Sequence, residues 1–403
     1  MKYIAIMGLG TIGRGVYDLL KENRREIAER LGEEISVKRI LDLRDFPEED
    51  IQRLVTHDVA DIIGDPEISV VVETMGGVEP AFSFEISALK AGKHVCTSNK
   101  ELVENKGPEL FAAARENKVN FFFEASVGGG IPIIRALTGS LTAERVGRVS
   151  GILNGTTNYI LSSMTNEGGT YEEALNRAMQ LGYAERNPAA DVEGFDAGRK
   201  LAILASIITG RRVCFGEISI EGITGITRED IRYSKELGYS IKLIAEASFE
   251  DGAVTALVAP RMVRPESALH PINGVQNGIV VCGNMVGKVL FSGEGAGAYA
   301  TASAVSADVI EALRRCTETV YSGWSSEKAD IRDVSGSRYK YFVRAVGYNQ
   351  EDYDNALSIF GGGSIINAHI QAEFGLVTPE MTEKEFHKKS GELIGFIKSI
   401  RIK

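Results

Sequence analysis

The sequence predicts an α/β protein of three domains, and three observations support this. Over residues 1–133, apolar segments of strand length alternate with segments of helix length. This alternation is typical of a parallel sheet covered by helices. A further series of strands and helices over 134–297 predicts an α+β domain with a mixed sheet. From 325 to 403 the segments run strand, helix, strand, strand, helix, strand, which is the ferredoxin-like order.

Composition excludes several classes of function. The 403 residues carry a net charge of −10, whereas nucleic-acid-binding proteins usually present a basic face. The longest apolar run, near 201–208, is too short to span a bilayer. The four cysteines show no metal-binding spacing and are expected to be reduced, and no signal segment precedes the first strand. We therefore expect a cytoplasmic enzyme without nucleic-acid or membrane partners.

The first domain opens with a glycine pattern in a specific context. A strand is predicted over Tyr3–Met7, followed by a GxGxxG turn and a helix over Arg14–Arg30. The glycines allow a tight turn, close approach of a pyrophosphate and close packing of helix on strand, and the helix N-terminus offers N–H groups to phosphates. This predicts a Rossmann-type domain that binds a dinucleotide. The candidate cofactor residues of the turn are Gly8, Gly10, Thr11, Ile12 and Gly13.

The end of the second predicted strand bears on the choice of nucleotide. After Ile35–Leu41 come Asp42 and Arg44. An acid here favours the ribose hydroxyls of NAD, whereas an arginine favours the 2′-phosphate of NADP. The sequence leaves both open.

Further candidates follow the next strands, Val70–Thr74 and His94–Thr97, which a helix over Pro80–Ala91 separates. Ligands of parallel sheets bind at the carboxyl ends of strands, which makes Thr74, Ser98 and Lys100 candidates for contact with cofactor or substrate. For Lys100 the alternative is a solvated lysine at a helix start.

A strand over Asn120–Ala125 leads into the glycine-rich turn 126–132. Glu124 and backbone carbonyls there would suit a cation, and a purely structural turn is equally compatible.

The middle of the chain carries the candidate chemistry. A strand over Val149–Leu153 precedes a turn whose Thr156 would suit a substrate carboxylate or a helix N-cap. A later helix begins near Phe195, places Asp196 and Lys200 on one face, and continues as an apolar segment. A buried lysine of this kind could act as general acid or base, and an ordinary ion pair is the alternative. With a nicotinamide cofactor, the simplest reaction is hydride transfer between a carbonyl and an alcohol.

Several segments together resemble homoserine dehydrogenases. They are Gly8–Gly13, Ser98–Val103, Glu124–Pro132, Gly151–Leu161 and Gly182–Lys200, and the resemblance covers roughly residues 1–320. It implies NAD- or NADP-dependent interconversion of L-homoserine and L-aspartate 4-semialdehyde, on the route to threonine and methionine.

The resemblance also implies roles for individual residues. Lys200 would transfer the proton, with support from Asp196, and Lys100 would lie at the active site. Glu185 and Asp191 would hold the substrate ammonium group, beside Gly155, Thr156 and Tyr183. A second glycine-rich loop with Gly295 and Gly297 would close over the nicotinamide. A sodium ion would be bound by Glu124, Val127, Gly129 and Ile131.

The C-terminal segment, 325–403, resembles an ACT domain, an amino-acid-sensing module. The usual Asp-x-Pro-Gly turn is replaced by Tyr348–Asp352. The expectations are effector binding or assembly alone, in a homodimer or homotetramer. A helix over Ala300–Cys316 is expected to return to the first domain.

Overall fold

The computed structural model describes residues 1–320 and 323–403. Contacts divide the chain into two compact units. The first unit comprises residues 1–145, 202–216 and 293–329, and the second comprises 146–201, 217–292 and 330–403. The three-domain division with limits at 133, 297 and 325 stays a prediction, since compactness does not test independent folding. Across the described ranges, the helices fall short of the length and apolar character that crossing a membrane requires.

The helices and strands have the following bounds. The helices are α1 (Thr11–Glu22), α2 (Arg24–Leu31), α3 (Glu49–Gln52), α4 (Ala60–Ile63), α5 (Ala81–Lys90), α6 (Lys100–Glu116), α7 (Ile133–Arg135), α8 (Gly155–Glu167), α9 (Tyr171–Gln180), α10 (Ala189–Val192), α11 (Phe195–Thr209), α12 (Arg228–Glu236), α13 (Ala298–Arg314), α14 (Gln350–Phe360) and α15 (Glu383–Ser390). The strands are β1 (Lys2–Met7), β2 (Ile35–Leu41), β3 (Val55–Thr56), β4 (Ile68–Glu73), β5 (His94–Thr97), β6 (Phe121–Phe122), β7 (Val146–Ile152), β8 (Arg211–Arg212), β9 (Ser219–Ile220), β10 (Ser240–Glu250), β11 (Ala253–Val263), β12 (Gln276–Gly283), β13 (Gly287–Glu294), β14 (Ser325–Lys328), β15 (Asp330–Ile331), β16 (Arg338–Val346), β17 (Ser364–Ile366), β18 (Glu373–Val377), β19 (Met381–Thr382) and β20 (Phe396–Ile402).

The first unit is built on a six-stranded parallel sheet. Its order is β3-β2-β1-β4-β5-β6, the order of dinucleotide-binding folds. The central strands β1 and β4 are almost wholly buried, as their runs of isoleucine and valine require. Helix α13 packs against α1 through a shared apolar cluster that includes Val16, Leu20, Val305 and Val309. The prediction of a Rossmann-type sheet is therefore confirmed.

The second unit holds a largely antiparallel sheet of order β13-β12-β7-β10-β11-β20-β16-β18-β17. Strands β10 and β11 pair along their full length, from Ser240 opposite Val263 to Glu250 opposite Ala253. Strand β7 lies between β10 and β12, and α8 follows directly after it. This arrangement places the start of α8 at one end of the mixed sheet that the sequence predicts.

The C-terminal strands and helices form a ferredoxin-like arrangement within the second unit. Strand order β20-β16-β18-β17 corresponds to 4-1-3-2, with α14 and α15 packed on a core that includes Tyr341, Phe360 and Phe386. Strand β20 also pairs in parallel with β11, Arg261 opposite Arg401. The two sheets are therefore continuous. An ACT-type function for this part stays a prediction.

Two predicted elements differ from the structure. The strand expected over Asn120–Ala125 contains only Phe121–Phe122 and then becomes a 3₁₀ turn, Glu124–Ser126. The reason is that the backbone N–H of Glu124 donates to the carboxylate of Asp308 (2.9 Å) and not to a neighbouring strand. The helix expected over Arg14–Arg30 is interrupted at Asn23. The backbone of Asn23 is not helical, so the segment forms two helices, α1 and α2.

Candidate active site

The glycine-rich turn of the first unit is shaped for close approach by a ligand. Gly8 has φ of 90°, in the region that favours glycine. A Cβ atom on Gly13 would lie 2.0 Å from the carbonyl oxygen of Gly8, so no larger residue fits. Helix α1 begins at Thr11, and its N-cap Gly10 provides no side-chain cap. Its first N–H groups are thus suited to phosphate oxygens, and the turn fits a dinucleotide.

Asp42 and Arg44 form one compact pair beside this turn. The Asp42 carboxylate accepts the N–H of Leu9 (2.8 Å) and is bridged by the Arg44 guanidinium at 2.9 Å. Arg44 Nη2 also donates to the carbonyl of Leu9 (3.0 Å). The Arg44 guanidinium holds the pKa of Asp42 well below its usual range. The Asp42 side chain is 8% exposed and fully hydrogen-bonded, whereas the Arg44 side chain is 61% exposed.

The loops after β4 and β5 hold the other candidates of this edge. The Thr74 hydroxyl donates to the carbonyl of Gly8 (2.7 Å), so Thr74 connects the glycine turn to the loop after β4. Ser98 follows β5 and donates its N–H to the carbonyl of Glu73 (3.4 Å). Asn99 caps α6 by accepting the N–H of Leu102 (3.1 Å), which makes Lys100 the first helical residue.

Two further glycine-rich segments, one after Glu124 and one before α13, contact each other within the first unit. A Cβ atom on Gly129 would lie 2.6 Å from the backbone carbonyl of Gly295. The N–H of Gly130 donates to the carbonyl of Glu294 (3.2 Å). Gly297, with φ of 119°, precedes α13. The loop containing Gly295 and Gly297 therefore lies directly on the turn after Glu124.

Glu124 is buried, and its carboxylate accepts hydrogen bonds from the chain. Its carboxylate accepts the N–H groups of Ile134 (2.8 Å) and Arg135 (2.7 Å), and burial raises its pKa. Asp308 on α13 accepts both the N–H of Glu124 and the Arg135 guanidinium. Within the described ranges, no group of three or more His, Cys, Asp or Glu side chains could hold a metal ion.

The candidate sodium ligands are mainly backbone oxygens, with Val127 in extended geometry and Gly129 at φ of 56°. The carbonyl of Ile131 already accepts the N–H of Ile133 (2.8 Å). A carboxylate with backbone carbonyls is an oxygen donor set that suits a hard cation.

In the second unit, Lys200 lies in a buried polar cluster. Its Nζ donates to Asp196 Oδ2 (2.8 Å) and to the carbonyl of Leu153 (2.8 Å). Asn154 Nδ2 donates to Asp191 Oδ1 (2.7 Å) and Asp196 Oδ2 (2.8 Å). We call Asn154, Asp191, Asp196 and Lys200 the lysine cluster. It brings together the start of α8, helix α10 and the first turn of α11.

The charges and donors of the lysine cluster have two consequences. Two carboxylates and one ammonium leave an excess of one negative charge, which suits the ammonium group of an amino acid. An ammonium has three N–H donors, and two of those on Lys200 are used by the chain. The third makes no hydrogen bond with the residues that the structure describes.

Other candidates lie around the start of α8. The Thr156 hydroxyl donates to the carbonyl of Tyr183 (2.6 Å), and the Tyr183 ring packs on Tyr159. Gly155 begins α8, and a Cβ atom there would lie 2.7 Å from the carbonyl of Val275. Glu185 is exposed and makes no hydrogen bond or ion pair with the part of the chain that the structure describes. The structure does not bring Glu185 into the lysine cluster.

Asn154 is a member of the lysine cluster that the sequence reasoning missed. It caps α8 by accepting the N–H of Thr157 (2.8 Å) while its amide nitrogen connects two carboxylates. The only local signal was its type, since asparagine is favoured at N-caps. Its link to Asp196, 42 positions away, has no counterpart in local sequence.

A dinucleotide-type sheet, combined with a buried lysine held by a carboxylate and a backbone carbonyl, is characteristic of nicotinamide-dependent oxidoreductases that act on alcohols and carbonyls. Comparison with known proteins narrows this class. The family models "Homoserine dehydrogenase" and "Homoserine dehydrogenase, NAD binding domain" match residues 132–310 and 8–124. The chain belongs to the homoserine dehydrogenase family, and it is an oxidoreductase with an NAD-binding domain.

Individual relatives agree with this assignment. A homoserine dehydrogenase of Synechocystis is 44% identical over 316 residues, 76% of this chain and 72% of the relative. The crystal structure of a homoserine dehydrogenase from Thiobacillus denitrificans superposes with a TM-score of 0.91 at 36% identity, covering 100% and 98% of the two chains. A hyperthermophilic archaeal homoserine dehydrogenase in complex with NADPH gives 0.67 at 30% identity, covering 77% of this chain and 98% of the other.

Proposed function

We propose that Lys200 transfers the proton when this homoserine dehydrogenase interconverts aspartate semialdehyde and homoserine. The observation that carries the proposal is the remaining N–H donor of an ammonium group that is otherwise fixed by Asp196 and Leu153. In the reducing direction, Lys200 Nζ gives a proton to the aldehyde oxygen, which becomes the hydroxyl of homoserine. In the oxidising direction, the neutral amine takes that proton back.

The neighbours of Lys200 hold it and the substrate in place. Asp196, buried and hydrogen-bonded to Asn154, orients the ammonium of Lys200. Asp191, on the same amide, is proposed to bind the substrate ammonium with Glu185, whose exposed carboxylate turns inward on binding. Thr156, Gly155 and Tyr183 form the adjoining wall.

The cofactor is proposed to lie on the glycine turn of the first unit. Gly8, Gly10 and Gly13 allow the pyrophosphate to approach, and the N–H groups of Thr11 and Ile12 bind its oxygens. Thr74, Ser98 and Lys100 border the same edge, and the loop with Gly295 and Gly297 covers the nicotinamide. When bound, the nicotinamide supplies or accepts the hydride.

We propose that NADP is the preferred cofactor. Asp42 is engaged by Arg44 and Leu9, so its carboxylate is not available to ribose hydroxyls as in NAD enzymes. Arg44 is exposed at the same position and suits a 2′-phosphate. The archaeal relative in complex with NADPH supports the same preference.

The Arg44→Ala variant is expected to raise KM for NADPH about tenfold or more, because a charge-assisted contact to phosphate is lost. KM for NADH should stay constant or fall, since Asp42 is released. Steady-state kinetics with both cofactors measure this. Arg53→Ala is the matched control, since Arg53 is also exposed and paired with a carboxylate. An equal loss with NADH and NADPH would contradict the assignment.

The activity itself is tested by oxidation of NADPH in the presence of aspartate semialdehyde. Turnover that needs both compounds and yields homoserine is the expected result. Binding of NADPH without turnover would contradict the proposed role of the lysine cluster but would leave the proposed cofactor site standing.

Sodium, assembly and location complete the proposal. A sodium ion is proposed at Glu124, Val127, Gly129 and Ile131, and replacing sodium by choline in the assay should then lower activity.

The ferredoxin-like part is proposed to support a homodimer or homotetramer, and light scattering measures the mass of the assembly. The four cysteines are free, which supports a cytoplasmic location.

A further inference from the structure

A buried carboxylate lies beneath the cofactor edge of the first sheet. Glu73 ends β4 and is fully buried. Its Oε1 accepts the N–H groups of Met75 (2.7 Å) and Gly76 (3.2 Å), and its Oε2 accepts the hydroxyl of Thr97 (2.6 Å). Glu73 therefore fastens the loop after β4 to the end of β5.

The same connection extends to the start of α6. The Thr97 hydroxyl accepts the N–H of Asn99 (3.0 Å), and Asn99 Nδ2 donates to the carbonyl of Gly77 (2.6 Å). Thus Glu73, Thr97 and Asn99 bind the two loops that carry Thr74 and Lys100 into one hydrogen-bonded frame.

A second acid next to Glu73 has no evident structural role. Glu85 on α5 is fully buried, and neither carboxylate oxygen has a hydrogen-bond partner among the described residues. An ionised carboxylate in such surroundings would cost several kcal/mol. Burial, followed by the charge of Glu73, raises the pKa of Glu85 well above its usual value.

The groups that face Glu85 explain which acid keeps the charge. On β4 the neighbour is Glu73, and on β5 the neighbours are the Thr97 hydroxyl and the Cys96 thiol, whose pKa burial also raises. No lysine, arginine or histidine among the described residues acts on Glu85. Burial raises the pKa of Glu73 as well, but three hydrogen bonds oppose this rise, whereas Glu85 has none, so Glu85 is the acid that carries the proton.

We propose that Glu73 and Glu85 act as a pair of positioning residues, in which protonated Glu85 supports the Glu73 carboxylate and thereby fixes the two loops against the cofactor. This rests on the proposed cofactor site at that edge. Neither acid touches the reacting atoms. The effect is therefore expected in cofactor affinity and not in proton transfer.

The test compares Glu73→Gln, Glu85→Gln and Glu85→Leu in the full chain, with NADPH binding followed by its fluorescence. Glu73→Gln should weaken NADPH binding about tenfold, because one acceptor becomes a donor, while kcat changes little. Glu85→Gln should bind as the wild type, because the amide, like the protonated acid, places an uncharged polar group beside Glu73. Glu85→Leu should weaken binding severalfold. Glu104 is another buried acid of the first unit, and Glu104→Gln should leave NADPH binding unchanged.

The protonation of Glu85 has its own readout. Its pKa is raised in the fold, so the wild type takes up a proton on folding and loses stability as pH rises from its unfolded pKa to the folded one. The Glu85→Gln variant lacks this loss. The Tm of Glu85→Gln relative to wild type should therefore increase as pH rises above the unfolded pKa of a glutamate, about 4.3. This measurement decides the protonation state even if Glu85→Leu does not fold.

Three results would overturn the proposal: unchanged NADPH affinity in Glu73→Gln, equal affinity in Glu85→Gln and Glu85→Leu, or a Tm difference that is independent of pH. Failure of the proposed cofactor site is distinguishable, because the wild type itself would then not bind NADPH.

Discussion

Replacement of Lys200 by methionine is expected to lower kcat about a thousandfold, the usual range for loss of a positioned acid or base. Methionine keeps much of the length and apolar volume of the lysine stem, so the buried position stays filled. Binding of NADPH should persist, because the glycine turn and Arg44 belong to the first unit. Single-turnover kinetics and fluorescence titration of NADPH measure the two quantities separately.

A matched control distinguishes chemistry from the loss of any buried lysine. Lys242 is also buried in the second unit, where it donates to Asn158, Asn273 and the carbonyl of Ile272. Lys242→Met should reduce Tm but leave kcat of the folded enzyme near wild type. If Lys200→Met retained more than a tenth of wild-type kcat, Lys200 would not be the proton-transferring residue.

The Asn154→Ala variant is expected to lower kcat/KM about a hundredfold. The change removes the amide that connects Asp191 to Asp196, so two carboxylates lose a shared donor. It also removes the N-cap of α8, which costs about 1 kcal/mol of stability. Steady-state kinetics and thermal unfolding measured on the same preparation give both effects.

Asn349→Ala supplies the control for capping. Asn349 caps α14 by accepting the N–H of Asp352 (3.1 Å), without a link to Lys200 or its partners. Both variants should lose similar stability, and only Asn154→Ala should lose activity. Parallel losses of activity in the two would show that Asn154 acts only through the helix.

The sequence was most informative where structure depends on local pattern. Strands Ile35–Leu41 and His94–Thr97 have the predicted bounds, because short valine- and isoleucine-rich runs have few alternatives in a parallel sheet. The glycine turn was equally predictable, since Gly8 and Gly13 stand at positions where the local geometry excludes a larger residue. The Asp196–Lys200 contact followed from helical spacing alone and is present at 2.8 Å.

Features that depend on distant parts of the chain could not be predicted from the sequence. The turn at Glu124 depends on Asp308, 184 positions later, and the strand predicted there is correspondingly cut short. Asn154 joins segments 37 and 42 positions away, so no window of local sequence contains its partners. The pairing of Asp42 with Arg44 was local, yet its geometry depends on the backbone of Leu9.

The parallel pairing of β20 with β11 has a consequence for any shortened form of the chain. One edge of β11 is covered in turn by β9, β15 and β20, and the last two lie beyond residue 329. Removing residues 330–403 would leave this edge of β11 without its partners at Ala253–Val254 and at Arg261–Met262. Such an edge invites pairing between molecules. The ferredoxin-like part thus covers an edge of the larger sheet, whether or not it senses an amino acid.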